Sequence, residues 1–110
     1  MHFDEYQELT KITAQYPKDG LNHIYYTSLG LASEAGEVAG KIKRILRDDE
    51  QQITYERRSQ IADEIGDVLW YCARLADELD LKFSFVAHRN IAKLLDRQNR
   101  DAITGEGDTR

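Results

Sequence analysis

At 110 residues the chain has the length of one domain, and its 41% hydrophobic content suffices for a modest core without disulfides or a structural metal. The net charge of −5 argues against a duplex nucleic-acid binder, which needs a basic face to displace counterions from phosphates, and leaves any anionic ligand in need of a metal. One cysteine, no apolar run long enough to span a bilayer and no signal-peptide layout lead to the expectation of a soluble protein in a reducing compartment, the cytoplasm by default.

With Pro17 as the lone proline and few strand-type runs, helical periodicity dominates and an all-α domain is expected over residues 1–110. A first helix is predicted over 3–14, ending at the turn cluster 16–20, where Pro17 disfavours helical geometry at Tyr16. A second helix covers 23–46. The polar segment 47–52 lacks apolar periodicity and reads as a loop, after which Thr54 is placed to cap a third helix over 55–80. A fourth runs over 83–99. The tail, 101–110, has Ile103 as its one large apolar residue and cannot pack a core of its own.

The segment Leu31–Leu46 aligns without gaps on Ile61–Ala76, with Ala, Glu, Gly, Val and Arg recurring in register. At about 100° per residue, Leu31, Ala35, Val38, Ile42 and Ile45 form one apolar stripe, and Ile61, Ile65, Val68, Cys72 and Leu75 form its counterpart, each expected to face a core. An acidic pair at i, i+3 lies along the edge of each stripe: Glu34 with Glu37, and Glu64 with Asp67. In an antiparallel hairpin, partners at equal height have residue numbers adding to about 101, so Glu34 meets Asp67 and Glu37 meets Glu64. Four carboxylates at one level repel each other until some protonate or a cation binds. All-oxygen ligation suits Mg²⁺ or Mn²⁺, whereas a ferritin-like di-iron site needs a His three residues after a ligand Glu, where Glu37 and Asp67 stand. Solvated surface is the alternative for either pair alone, but two pairs matched in phase and register favour a metal.

Gly36 and Gly66 sit inside these motifs, and each costs about 1 kcal/mol in a helix interior unless a close backbone approach offsets it. Trp70 lies opposite the apolar stripe and needs cover, for which a subunit interface is preferred over the first helix or the tail. On the last helix Asn90, Lys93 and Arg97 recur at helical spacing beside Phe83, Val86 and Leu94. Asn90, read as a buried amide, requires a partner. Lys41, Arg100 and Arg110 add cations for a polyphosphate, and Lys41 and Tyr71 fall between the acidic pairs in helical phase as phosphate donors. His23, Tyr25 and Tyr26 are weaker candidates for a base pocket. Cys72, inside the stripe, is structural.

Glu34-Ala35-Gly36-Glu37 followed by Glu64-Ile65-Gly66-Asp67-Val68-Leu69-Trp70-Tyr71 resembles the ExxE and ExxD motifs of MazG-like nucleoside triphosphate pyrophosphohydrolases. Tyr16-Pro17, Gly30-Leu31-Ala32, the stretch Asn90–Leu94 and the closing Gly105–Arg110 extend the similarity over nearly the whole chain, with Lys82 and Asp101 as departures at a helix start and before the tail. The resemblance implies Mg²⁺ on Glu34, Glu37, Glu64 and Asp67, a nucleoside triphosphate substrate, cleavage between the α and β phosphates, and substrate contacts from Asn90 and Lys93. It also implies a four-helix core completed across subunits, in a dimer or, favoured here, a tetramer. The rival reading is a catalytically silent helical module that binds a nucleotide or a partner helix.

Overall fold

The periodicity is realised as four α-helices in this computed structural model, which describes residues 1–100, 105, 107 and 108; no strand occurs among them. They are α1 (Phe3–Thr10), α2 (Asn22–Asp48), α3 (Tyr55–Glu78) and α4 (Phe83–Asn99), with a 3₁₀ turn, Lys11–Thr13, following α1. The first helix is therefore shorter than expected: its last turn tightens at Lys11, whose N–H reaches the carbonyls of both Glu8 and Leu9. The other three boundaries lie within two residues of the predicted ones. The tail positions Asp101 and Arg110 fall outside the described residues.

α2 and α3 pack as the antiparallel hairpin, the most extensive contact in the chain. Its loop is locked at both ends. Thr54 accepts a hydrogen bond from the Arg57 N–H, as a capping residue should, and Asp49 accepts from Arg57 Nε at 2.6 Å. The register is the expected one, because Gly30 meets Tyr71, a pair whose numbers add to 101. A Cβ at Gly30 would overlap the edge of the Tyr71 ring, so any larger residue there forces the ring to shift. Gly36 and Gly66, where a close approach was expected, have open space around them among the described residues.

α1 lies across the C-terminal half of α3 and the start of α4. The edge of the Phe3 ring meets Phe83 at 5.1 Å, and Phe83, Ala73 and Ala76 form a small buried cluster with Tyr6 and Cys72 against it. Gln7, also buried, donates to the Leu81 carbonyl at 2.9 Å and accepts from the Phe83 N–H at 3.1 Å. Lys82 gives α4 no side-chain cap; Asp4 supplies it from α1, accepting from the Ser84 N–H at 2.9 Å and from the Ser84 hydroxyl at 2.7 Å. Asp80, at a positive φ of 57°, ends α3 while the Leu81 N–H bonds back to the Ala76 carbonyl.

This arrangement leaves much apolar surface uncovered. Of the two stripes, Ile45 is buried, but Ala35, Ile42 and Ile65 are exposed, since two helices side by side cannot enclose the seam between them. The expectation that each stripe faces a core holds only in part within one chain. On α4, Phe85, Val86, Ile91, Leu94 and Leu95 are exposed as well. The radius of gyration, 16.8 Å, exceeds the roughly 13 Å of a compact chain of this length. No helix among the described residues is long and apolar enough to cross a membrane.

Candidate functional site

The hairpin register brings Glu34, Glu64 and Asp67 together, with one carboxylate oxygen from each lying within 4.8 Å of the others. Ligand oxygens at 2.0–2.1 Å from an octahedral Mg²⁺ lie about 3 Å apart when adjacent and about 4.2 Å when opposite, so the cluster is near the span one ion bridges. Hard oxygen donors without histidine or thiolate match that class of cation. Burial, and then the charges of Asp67, Glu64 and Glu37, push the Glu34 carboxyl above its ordinary range. A cation in the cluster would relieve that repulsion. Lys41 offers partial compensation, its Nζ standing 3.9 Å from Glu64.

Glu37 is exposed and lies outside this group of three, so one chain assembles three of the four expected carboxylates. Tyr71 stands beside them. Its phenol is raised above the usual range by burial first, then by a hydrogen bond with Tyr26, and by the charges of Glu34 and Asp67. Thr13, Glu34, Asp67, Trp70 and Tyr71 line a cavity of about 350 Å³, a volume typical of small-molecule sites.

Two expectations about this region are corrected. Trp70 is covered by its own chain: the indole N–H donates to the Thr13 hydroxyl at 2.9 Å, and the Tyr16 ring meets it edge-on at 6.5 Å. The segment after α1 thus provides the cover for which a subunit interface was preferred, because the 3₁₀ turn carries it along α3. Asn90 is exposed rather than buried, on the rim of an apolar groove of about 470 Å³ that includes Leu31, Leu69 and Val86. The desolvation argument for its partner therefore lapses; Asn90 shares that groove with Leu31, just ahead of Glu34.

Lys93 and Arg97 converge on one anion. Lys93 Nζ lies 3.0 Å and Arg97 Nη2 3.1 Å from the Asp108 carboxylate, which the two cations hold below its ordinary range. The pair thus cradles a carboxylate of its own chain, with Arg97 itself buried. Of the weaker candidates, Tyr26 joins the aromatic wall by stacking on Tyr16 at 5.2 Å, Tyr25 is exposed, and His23 is half-buried with Nδ1 unpartnered. Cys72 is half-buried and its thiol is raised by burial, which fits a structural role. Thr13, Gly30, Trp70 as a site wall, and Arg74 escape a reading by helical phase, since segment 10–16 meets α3 only through the tertiary fold. For Arg74 the one sequence signal is the repeat, in which it corresponds to Arg44, whereas Gly30 and Trp70 stand in stretches that carry the MazG-like resemblance.

An all-α hairpin carrying ExxE and ExxD carboxylates on facing turns defines a class, and the MazG nucleotide pyrophosphohydrolase domain matches residues 25–101: the chain belongs to that family. It is similar to Gene 37 protein of Mycobacterium phage L5, with 46% identity over all of both chains. No solved structure matches it.

Proposed function

We propose that this protein hydrolyses nucleoside triphosphates, deoxynucleoside or non-standard ones first among them, to the monophosphate and pyrophosphate, in a cytoplasmic nucleotide-cleaning role. The observation that carries the reading is the convergence of Glu34, Glu64 and Asp67 across the hairpin of a MazG-family chain. These three would hold Mg²⁺, or Mn²⁺ in its place, with Glu37, one turn beyond Glu34, as the fourth carboxylate of the set. An ion held there would supply charge neutralisation for the phosphate oxygens and an activated water for in-line attack. The carboxylate least engaged in ligation would serve as the base for that water. Lys41 and Tyr71 donate to phosphate oxygens at the rim of the cluster. Asn90, Lys93, Arg97 and Arg110 contribute further donors, the Lys93–Arg97 cradle exchanging the Asp108 carboxylate for a phosphate. The uncovered apolar faces of α2, α3 and α4 are met by further copies of the chain, in a tetramer rather than a dimer.

The test is a panel of canonical and modified nucleotides assayed with Mg²⁺ and with Mn²⁺ for pyrophosphate release. Monophosphate and pyrophosphate in equal amounts are expected. Orthophosphate and diphosphate as products would overturn the reading, and no turnover across the panel would favour a silent nucleotide-binding module.

A further inference from the structure

Arg74 is among the most buried side chains in the protein, at 3% exposure, and yet it is a cation. Each of its three nitrogens donates, in four hydrogen bonds. Nη1 donates to Asp77 at 2.9 Å and Nη2 to Glu78 at 3.1 Å, both one turn along α3. The remaining bonds cross to the N-terminal segment: Nε donates to the Tyr16 hydroxyl at 3.2 Å and Nη1 to the Thr10 hydroxyl at 3.2 Å. Tyr16 in turn donates to Glu78. Two carboxylates on its own helix would neutralise this charge, so the bonds to Thr10 and Tyr16 serve geometry. A planar fork with five donors can hold four partners in fixed directions, which an ammonium cannot.

Between the two anchored residues runs the stretch that carries Thr13. Its hydroxyl accepts from the Trp70 indole, while the Tyr16 ring, fixed by its hydroxyl, stacks on Tyr26 at an interplanar angle of 14°. Tyr26 leans on Tyr71 at 6.3 Å, and Tyr71 meets Trp70 edge-on at 4.9 Å. One buried guanidinium thus anchors a continuous aromatic wall. That wall borders the cavity shared by Thr13, Trp70 and Tyr71 with Glu34 and Asp67. Flat π-faces and a hydroxyl next to a cation site suit the base and sugar of a nucleotide whose phosphates reach the metal.

We propose that Arg74 is a positioning residue for nucleotide recognition: by anchoring Thr10 and Tyr16 it sets the Thr13–Trp70–Tyr71 wall against which base and sugar lie, and leaves metal binding untouched. This rests on the nucleotide reading above and assigns it a second, separable part. The Lys93 and Arg97 cradle acts on the polyphosphate; the Arg74 clamp acts on the other end of the same substrate.

The experiment compares wild type with Arg74→Lys and Tyr16→Phe. The second variant keeps the ring and the Arg74 ion pairs but removes the hydroxyl link, so the test survives if Arg74→Lys fails to fold. Three quantities are read: Mn²⁺ affinity by calorimetry, kcat and KM for dATP, dCTP, dGTP and dTTP, and quenching of Trp70 emission on mixing with each dNTP. Trp70 is the one tryptophan of the chain, so the signal comes from the wall itself. Expected in the folded variants are wild-type Mn²⁺ affinity, little change in kcat, a KM for the best dNTP raised roughly tenfold, and weaker Trp70 quenching. Unchanged KM and quenching would overturn the proposal, as would loss of Mn²⁺ affinity in step with KM, the mark of a general structural role. Should wild type release no pyrophosphate at all, the hydrolase reading fails, and the quenching comparison alone then decides the role of Arg74.

Discussion

Gly30 and Tyr71 show how one residue fixes the site. The ring occupies the place of a Gly30 Cβ, and the same ring borders Glu34 and Asp67. Gly30→Ala is expected to lower stability by about 1–3 kcal/mol, as overpacking does, and to turn Tyr71 out of the cavity. A thermal melt beside a Tyr71→Phe control reads this; a melting temperature equal to wild type would refute it. The carboxylates behave differently, because neutral isosteres relieve repulsion there. Asp67→Asn and Glu37→Gln are each expected to lower turnover roughly a hundredfold while the metal-free protein melts no lower than wild type. The Glu37 arm is the sharper one: near wild-type turnover would show that Glu37, which lies outside the cluster of three, stays outside it. Glu34, Glu64 and Asp67 were legible in sequence because phase and register are set by helical geometry. The exposure of Glu37 was not, since it depends on rotamer and neighbours.

At the scale of elements, α4 starts where the sequence places it although Lys82 cannot cap it. The reason lies on α1. Hydrogen bonds from the Ser84 backbone and hydroxyl lower the Asp4 carboxyl below its ordinary value. Glu78, at the end of α3, is lowered as well: burial opposes ionisation, but the hydrogen bonds from Tyr16 and Arg74 outweigh it. A carboxylate depressed in the folded state stabilises the fold above its unfolded pKa, near 4, and that contribution is lost as pH falls through the lower, folded value. Melting temperatures should therefore drop on acidification below about pH 4. Asp4→Ala should melt below wild type at neutral pH, with the gap closing in acid. A gap that persisted below both pKa values would mean that packing of Asp4, and not its charge, supports α4.

At the scale of the molecule, the issue is apolar surface. Ile42, Ile65, Ile91 and Leu95 are about half exposed, α4 packs far less extensively on α1 and α3 than α2 packs on α3, and one chain alone cannot enclose them. Trp70 no longer supports assembly, since Thr13 and Tyr16 cover it, but the α4 face takes over that argument. We expect an obligate homo-oligomer, and Ile91→Glu, which would set a charge in its interface, to dissociate it and to abolish turnover. Sedimentation measures the first effect and pyrophosphate release the second. A folded, active wild-type monomer would end the argument.

The sequence by itself determined the four helices, the hairpin register and three of the carboxylates that meet across it, because each follows from a local period of 3.6 residues and one short connection. The resemblance to MazG-like enzymes rests on the same residues, and the family match bears it out. Only the tertiary structure decided what covers Trp70, what caps α4, which ring fills the space beside Gly30, and that Arg74 rather than its repeat counterpart Arg44 is buried in a hydrogen-bonded clamp. Each of these joins residues 40 to 80 positions apart through side-chain bonds or ring contacts, and no periodicity along one helix encodes where a distant segment will cross it.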